Sequence, residues 1–331
     1  MGFHKELNKS EFIEQIGVDD DQYIQNLQSE FDDIKFLYKN LDDAEYQQVI
    51  IEILRTIYEK ELPKSGERRQ LDWEKGWAEN LFEFSSENFD TSKLMPKYVQ
   101  NGRPIRLNNK FVNPVSLDFE WNLSVLYRKA LFHHYFKKCY KVHEFGCGTG
   151  TNLLLMSEIL PGIKLHGYDW AESSVSIVNL LSDKKGLNVV GHQFDFFQSD
   201  DCIQMGEDDG VLTFHALEQV GSDFKPFVNM IIKKLPKIVV SVECIKELYE
   251  TQNLNDFLAI KYHEKRNYLD GYLNYLRELE VNGLVNILDV KRMYIGNLFH
   301  EAYSQVIWEP GKMLIDQVGA TAFLTNFHAK Q

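Results

Sequence analysis

The sequence predicts an α/β fold: a doubly wound, mostly parallel seven-stranded sheet with a closing antiparallel hairpin, preceded by a helical N-terminal region. Three observations predict it. From residue 140 onward short β-rich runs alternate with helical stretches, the pattern of βαβ units. Upstream, apolar residues recur at helical spacing. The first β-rich run also ends in a loop with glycine at every second position, Gly146, Gly148 and Gly150.

Taken in order, residues 1–60 hold 14 acidic against 6 basic side chains. Tyr23, Leu27, Phe31, Ile34 and Tyr38, then Tyr46, Val49, Ile50, Ile53, Leu54 and Ile57, predict a helical hairpin with a solvated acidic outer face. Asp42 and Asp43 stand where the second helix begins, favourable for its cap and dipole. The polar break Pro63–Arg69 reads as a loop, and Trp73 to Phe84 as a further helix. The stretch from Pro96 to Pro114 has Gly102, three prolines and four asparagines, and is expected to be irregular. An amphipathic helix fits Phe119 to Phe136. Residues 1–115 are therefore expected to form a helical N-terminal or lid region, and residues 116–331 the α/β domain.

In that second part, strands are expected at Lys141–Phe145, Lys164–Tyr168, Leu187–Phe194, Gly210–Phe214 and Lys237–Val242, with helices at 151–160, 171–182 and 224–235. A charged, Tyr-rich helical insertion follows at about 245–283. Two last strands, Ile287–Tyr294 and Ala302–Trp308, joined at Gly296-Asn297, would close the sheet with an antiparallel hairpin.

Composition narrows the function. The 331 residues are 44% hydrophobic and 26% charged, ordinary globular usage. Aromatics make up 13%, with 22 Phe and 16 Tyr, so the core or a pocket should be rich in rings. A net charge of −13 repels phosphates and argues against a nucleic-acid partner. No apolar stretch approaches the ~20 residues of a membrane span. The polar N-terminus lacks a signal-peptide core, and Glu6 stands where a myristoylation site needs Ser or Thr. Cys139, Cys147, Cys202 and Cys244 show no paired spacing, which points to a reducing compartment. A cytoplasmic protein with no membrane partner is expected.

The most informative stretch is Val142-His143-Glu144-Phe145-Gly146-Cys147-Gly148-Thr149-Gly150-Thr151-Asn152. Glycines let the backbone turn sharply and approach a ligand, and the helix start behind them offers amides to an anionic group. A dinucleotide fingerprint would need glycine at Thr151, and a P-loop would need Gly-Lys-Ser/Thr. What remains is acidic-x-G-x-G-x-G. The Glu144 carboxylate would repel a pyrophosphate but suits an amino group, so the expected ligand is a nucleoside with a cationic amino-acid tail.

This stretch resembles the first motif of class I S-adenosylmethionine-dependent methyltransferases, and later elements match that family in order and spacing. The resemblance covers about 140–310 and implies a Rossmann-like domain with S-adenosylmethionine as cofactor. It places Asp169, in Tyr168-Asp169-Trp170, on the ribose hydroxyls, and Asp195, in Phe194-Asp195-Phe196, on the adenine amino group. Phe214-His215-Ala216-Leu217-Glu218-Gln219-Val220 is similar to the fourth motif, beside the methyl group. The cofactor-binding residues so implied are Glu144, Gly146, Cys147, Gly148, Gly150, Asn152, Asp169, Trp170, Asp195, Phe196 and His215. Trp170 is either a ring against the adenine or a surface aromatic. Cys147 is a small loop filler, and Asn152 has the alternative of simply starting its helix.

Open α/β sheets bind substrate at the C-terminal strand ends, which makes His215, Glu218 and Glu243 the candidate catalytic groups. His215 suits a hydroxyl acceptor as base, since its ordinary pKa is near neutrality; its alternatives are to stack on the cofactor or cap a helix. Glu218 and Glu243 suit an amine or guanidinium acceptor, or else serve helix-start chemistry. His263 reads as an exposed helix residue, Glu120 and Arg128 as groups that could close over the amino-acid tail, and His133-His134 as surface or core. No metal is expected. The leading expectation is N- or O-methylation of a small molecule in a biosynthetic pathway. A cationic guanidino or amino acceptor such as arginine is slightly favoured over a sugar hydroxyl. The alternative is a noncatalytic S-adenosylmethionine-binding subunit that docks a partner through its acidic helices. A homodimer is compatible with the aromatic-rich extension.

Overall fold

The computed structural model describes residues 4–18, 21–97, 102–198 and 202–311; Met1-Gly2, residues 98–101 of the stretch expected to be irregular, and the end of the 116–331 segment lie outside them. The chain opens with β1 (Lys5–Glu6), α1 (Lys9–Ile16), α2 (Asp21–Ile34) and β2 (Leu37–Asn40). α3 (Asp43–Tyr58) begins with a capping box, in which Asp42 Oδ1 accepts from the Glu45 amide at 2.8 Å and Glu45 Oε2 accepts from the Asp42 amide at 2.9 Å. α4 (Gln70–Ser86), β3 (Ile105–Leu107) and β4 (Lys110–Pro114) complete the N-terminal region.

This region is not purely helical. β1, β2, β4 and β3 pair antiparallel in that order, with the later segment Ile295–Gly296 on the far edge of β3. Two expectations change here. Tyr38, read as the end of a helix, pairs with Pro114 in the sheet, because Lys35 takes a left-handed φ of 53° and ends the helical run. The Pro- and Asn-rich stretch contains a tight hairpin: Asn108 and Asn109, at φ 49° and 64°, form the two-residue turn between β3 and β4.

α5 (Phe119–Phe136) leads into the main sheet, whose elements follow as β5 (Lys141–Phe145), α6 (Thr151–Ile159), β6 (Lys164–Asp169), α7 (Glu172–Lys185), β7 (Val189–Gln193), β8 (Asp209–Phe214), α8 (Lys225–Lys234) and β9 (Ile238–Glu243). Then come α9 (Leu254–Arg266), α10 (Tyr272–Val281), β10 (Val285–Lys291), β11 (Ile295–Gly296) and β12 (Ser304–Pro310). The strand order is β10-β12-β9-β8-β5-β6-β7. β5 through β9 are parallel, and β12 runs antiparallel between β9 and β10. The fold is therefore the doubly wound α/β sheet of seven strands with a closing antiparallel strand. α9 and α10 fill the stretch read as an insertion.

The joint of the closing pair differs from expectation. Gly296 is not a hairpin turn: residues 292–303 leave the sheet, and Gly296 pairs with Arg106 of β3. A Cβ at Gly296 would lie 2.2 Å from the His300 carbonyl oxygen, so this glycine marks a close backbone approach.

Both faces of the main sheet are covered, as strands without polar alternation require; β9 is buried throughout. One face packs Val142, Leu212 and Val240 against Leu131 of α5, Met156 of α6 and Val178 of α7. The other packs Phe145, Val239 and Trp308 against Phe227 of α8 and Leu276 of α10. Each such side chain contributes about 1.5–3 kcal/mol by leaving water. No described helix is long and apolar enough to cross a membrane.

The N-terminal region is fastened to this sheet at several points. Glu74 of α4 accepts from the Ser173 amide at 3.3 Å and from the Ser173 hydroxyl, and Thr149 donates to the Leu94 carbonyl at 2.6 Å. Arg106, only 3% exposed, donates to the Asn255 and Phe299 carbonyls at 3.1 and 3.2 Å. These ties set α4 and the β3 strand over the C-terminal ends of the parallel strands.

Candidate active site

Chain direction across the sheet reverses between β5 and β8, and a crevice at such a switch point is where open α/β sheets bind ligands. A cavity of about 440 Å³ lies there, lined by residues between Arg69 and Tyr303. One half is made by the β5–α6 loop and the end of β6. Gly146, Gly148 and Gly150 have φ values of 75°, 52° and 73°, which side chains with a Cβ rarely adopt. A Cβ on Gly146 would come within 2.4 Å of Ala216 Cβ, and one on Gly148 within 3.0 Å of the Trp77 ring. The loop is fixed by its own bonds: Gly146 and Cys147 amides donate to the Tyr168 carbonyl at 2.7 and 3.1 Å. Cys147 is buried, its thiol 3.6 Å from the Ser174 hydroxyl and held well above its ordinary pKa by burial, which suits a filler and not a nucleophile.

Two carboxylates define this half. Asp169 ends β6, with Oδ2 accepting from the Gly148 amide at 2.8 Å and Oδ1 from the Ala171 amide at 3.0 Å. Burial pushes its pKa up to about 6 against those bonds. Glu144 is 1% exposed; Oε1 accepts from Asn152 Nδ2 at 2.6 Å, while the buried Oε2 has no partner. Burial raises its pKa to about 8, and Asn152 and Arg128 act the other way. Arg128 in turn donates to Asn152 Oδ1 at 3.0 Å, which joins α5 to the loop. Asn152 thus bridges Glu144 and Arg128 and does more than start its helix. Trp170 and Phe196 also line the cavity. Asp195 does not: its carboxylate accepts from the Phe197 amide and the Gln198 side chain at 3.0 and 3.1 Å, closing its own turn.

The other half holds the candidate catalytic groups. His215, directly after β8, has a left-handed φ of 54° and a buried Nε2 without a partner. Burial lowers its pKa to about 4, so the imidazole is neutral, with a hydrogen bond to the Ala302 backbone opposing and the Arg128 charge adding to the shift. Glu218 lines the cavity and accepts from Gln219 Nε2 at 2.9 Å; burial raises it to about 7. Glu243 is placed differently. It is fully buried at the end of β9 and outside the cavity lining, and accepts from the Ala216, Leu217 and Glu218 amides at 3.1, 3.1 and 3.3 Å. Burial and the Glu218 charge push it up to about 8 against those three amides. Its contacts hold the turn that carries Glu218.

Several groups in or near this half take other places than the sequence suggested. Glu120 of α5 accepts from the Tyr303 hydroxyl at 3.4 Å, and burial raises it to about 7. Tyr303 sits 5.0 Å from the His215 ring, centroid to centroid. His263, expected to be exposed, is 1% exposed, on the inner face of α9 beside Tyr262. Its Nε2 lies 3.0 Å from His300 Nδ1, and both rings gather near Cys244 with one donor atom each within 4.8 Å of the others. That set has the donor chemistry of a zinc site. However, His263 Nδ1 has no partner, whereas a metal-bound imidazole is normally oriented by one. His133, read as surface or core, stacks on Tyr23 at 3.8 Å.

No protein-family model and no curated protein matches the chain. Solved structures similar to it include an O-methyltransferase from neocarzinostatin biosynthesis in complex with S-adenosylmethionine and a naphthoic acid, at 14% identity and TM-score 0.40 over 57% of each chain. Human N-acetylserotonin methyltransferase, also with S-adenosylmethionine, is similar at 14% identity and TM-score 0.41, over 59% of this chain and 54% of that one. The cyclase SpnF is similar at 14% identity and TM-score 0.46, over 76% of this chain and 97% of its own. The chain thus spans little more than half the length of the first two. Likeness at this level does not bear on the reaction, which is read from the site.

Proposed function

We propose that this chain is an S-adenosylmethionine-dependent methyltransferase that transfers a methyl group to oxygen or nitrogen of a small molecule. One observation carries the reading: a single cavity brings together an unpartnered buried Glu144 oxygen, the Asp169 carboxylate and a glycine cradle that any Cβ would fill. Those residues fit a nucleoside with a zwitterionic amino-acid tail. Glu144 would take the tail's amino group and Arg128 its carboxylate, Asp169 the ribose hydroxyls, and Trp170 and Phe196 the base. S-adenosylmethionine, when bound, supplies an electrophilic methyl group on a positively charged sulfur.

The chain's own residues then have three tasks. The cavity walls exclude water and orient the acceptor, and orientation of that kind is worth up to ~7–11 kcal/mol. His215, neutral and unpartnered at Nε2, accepts a hydrogen bond from an acceptor hydroxyl. With its pKa held at about 4, it takes the proton only as methylation of the oxygen makes that proton acidic. Glu218 offers a second proton acceptor for a protonated amine, while Glu243 is a positioning residue that fixes the Glu218 turn. Calorimetric titration with S-adenosylmethionine and S-adenosylhomocysteine tests the reading: both should bind, and Asp169→Ala should weaken them by about a hundredfold through loss of charged hydrogen bonds. Wild-type protein that binds neither would refute it. Labelled-methyl transfer to hydroxyl and amine acceptors then separates an enzyme from a cofactor-binding subunit.

A further inference from the structure

Resting on the reading of the cavity as a methyl-transfer site, the geometry points to an acceptor that carries an oxyanion, a carboxylate or phosphate, gripped between Arg69 and Arg266. The two arginines come from segments almost two hundred residues apart. They are brought together by a seam of backbone bonds: the Ser65 amide donates to the Arg266 carbonyl at 2.7 Å, the Gly66 amide to the Gln219 carbonyl at 2.8 Å, and Asn267 Nδ2 to the Ser65 carbonyl at 3.2 Å. Arg69 follows one turn later, its amide bonded to the Gly66 carbonyl at 2.9 Å.

Both guanidinium groups line the acceptor half of the cavity, and both have a buried Nε with no hydrogen-bond partner. Each lies against a ring, Arg69 at 5.5 Å from Trp73 and Arg266 at 5.0 Å from Tyr268. Burial first, and then the nearby charge of Arg266, lower the pKa of Arg69. Among the described residues Arg69 has one carboxylate at ion-pair distance, Asp72 at 3.4 Å, and that residue is largely in solvent. Glu218 is the built-in counter-charge to Arg266, but burial makes it a weak one. Two cations held side by side with donors to spare form a fork for a bidentate oxyanion. The rings of Trp73, Tyr262 and Tyr268 beside them favour a flat body behind it. A cationic acceptor, the choice favoured by overall acidity, would meet two like charges here.

The test is binding of small probes to the full chain, without nucleoside, by calorimetry: benzoate and inorganic phosphate against benzamide and benzamidine. Benzoate should bind at least about tenfold tighter than benzamide, with benzamidine weakest. Phosphate binding as tight as benzoate would identify the acceptor's anion as a phosphate, and weaker binding as a carboxylate. Arg69→Met and Arg266→Met should each weaken benzoate about tenfold or more. Should a Met variant fail to fold, Arg266→Lys keeps the charge, loses the fork, and should show a smaller loss. Benzamidine or benzamide binding as well as benzoate, no binding of either anion at tens of millimolar, or benzoate affinity unmoved by these variants would overturn the inference. Failure of the methyltransferase reading looks different: benzoate binds but S-adenosylmethionine does not.

Discussion

The two halves of the cavity are built by opposite strategies. The half at the β5–α6 loop is local: Glu144, the three glycines and Asn152 lie within nine consecutive positions, and Asp169 enters from the adjacent strand. Its charged groups are tied through Asn152 and the loop amides, with one Glu144 oxygen left over. The acceptor half is assembled from a loop before α4, the turn after β8, the end of α9 and the segment between β10 and β12. There, cations face cations and buried donors go unpaired. A local site can be specified by a motif, whereas a remote one exists only when the whole chain is folded, so the two can vary independently.

The harshest way to break the local half is Gly146→Ala. The added Cβ meets Ala216 at 2.4 Å and the backbone is left-handed, a combination that should cost about 2–5 kcal/mol in urea unfolding and abolish S-adenosylmethionine binding. Arg266→Met, in contrast, should leave cofactor affinity within about twofold while it weakens the anion probes; equal damage to both ligands would show that the halves are coupled.

Acid offers an intermediate test. Beneath the local half, His143, His166 and His192 stack across β5, β6 and β7 at 5.0 and 5.1 Å. They face Tyr168, Asp209, Lys141 and Lys164. Burial pushes His143 and His166 down to about 4 and lowers His192. The unfolded chain therefore binds more protons than the folded one between about pH 6.5 and pH 4. Their contribution to stability is intact above that window and falls as pH drops through it. The double variant His166→Phe/His192→Phe should gain about 1–2 kcal/mol on wild type between pH 7 and pH 5 in chemical denaturation; a difference independent of pH would rule out the ladder as the source. The smallest effect is expected at Asp195→Asn. Its carboxylate serves its own turn, so cofactor affinity should fall less than about tenfold; a hundredfold loss would return Asp195 to the cofactor site.

What could be read from the sequence follows the same division. The alternation from residue 140, the glycine loop and Asp169 are written in neighbouring residues, and the structure keeps their order. The small sheet was hidden because β2, β3 and β4 are only three to five residues long and take partners far along the chain. Its turn asparagines, Asn108 and Asn109, look like any loop. Arg69 sits in a polar break with no periodicity, and nothing local says that Ser65 and Gly66 bond to residues 266 and 219. His263 looks exposed within Lys261-Tyr262-His263-Glu264-Lys265 because its burial is supplied by His300 and Tyr249. Buried polar residues of that sort are set by tertiary partners, which a single pass along the chain does not weigh.

The pairing of β11 with β3 has a consequence for how the molecule is made. On the ribosome the N-terminal sheet emerges first, yet the strand that covers the open edge of β3 comes from residues 295 and 296. Until then β3 presents unpaired amides and carbonyls, a template for pairing with other chains. Arg106, in the same strand, waits for carbonyls at Asn255, Leu298 and Phe299. The cap synthesised first is thus the last part to close, and nascent chains stalled before residue 295 should be the ones that aggregate or recruit chaperones.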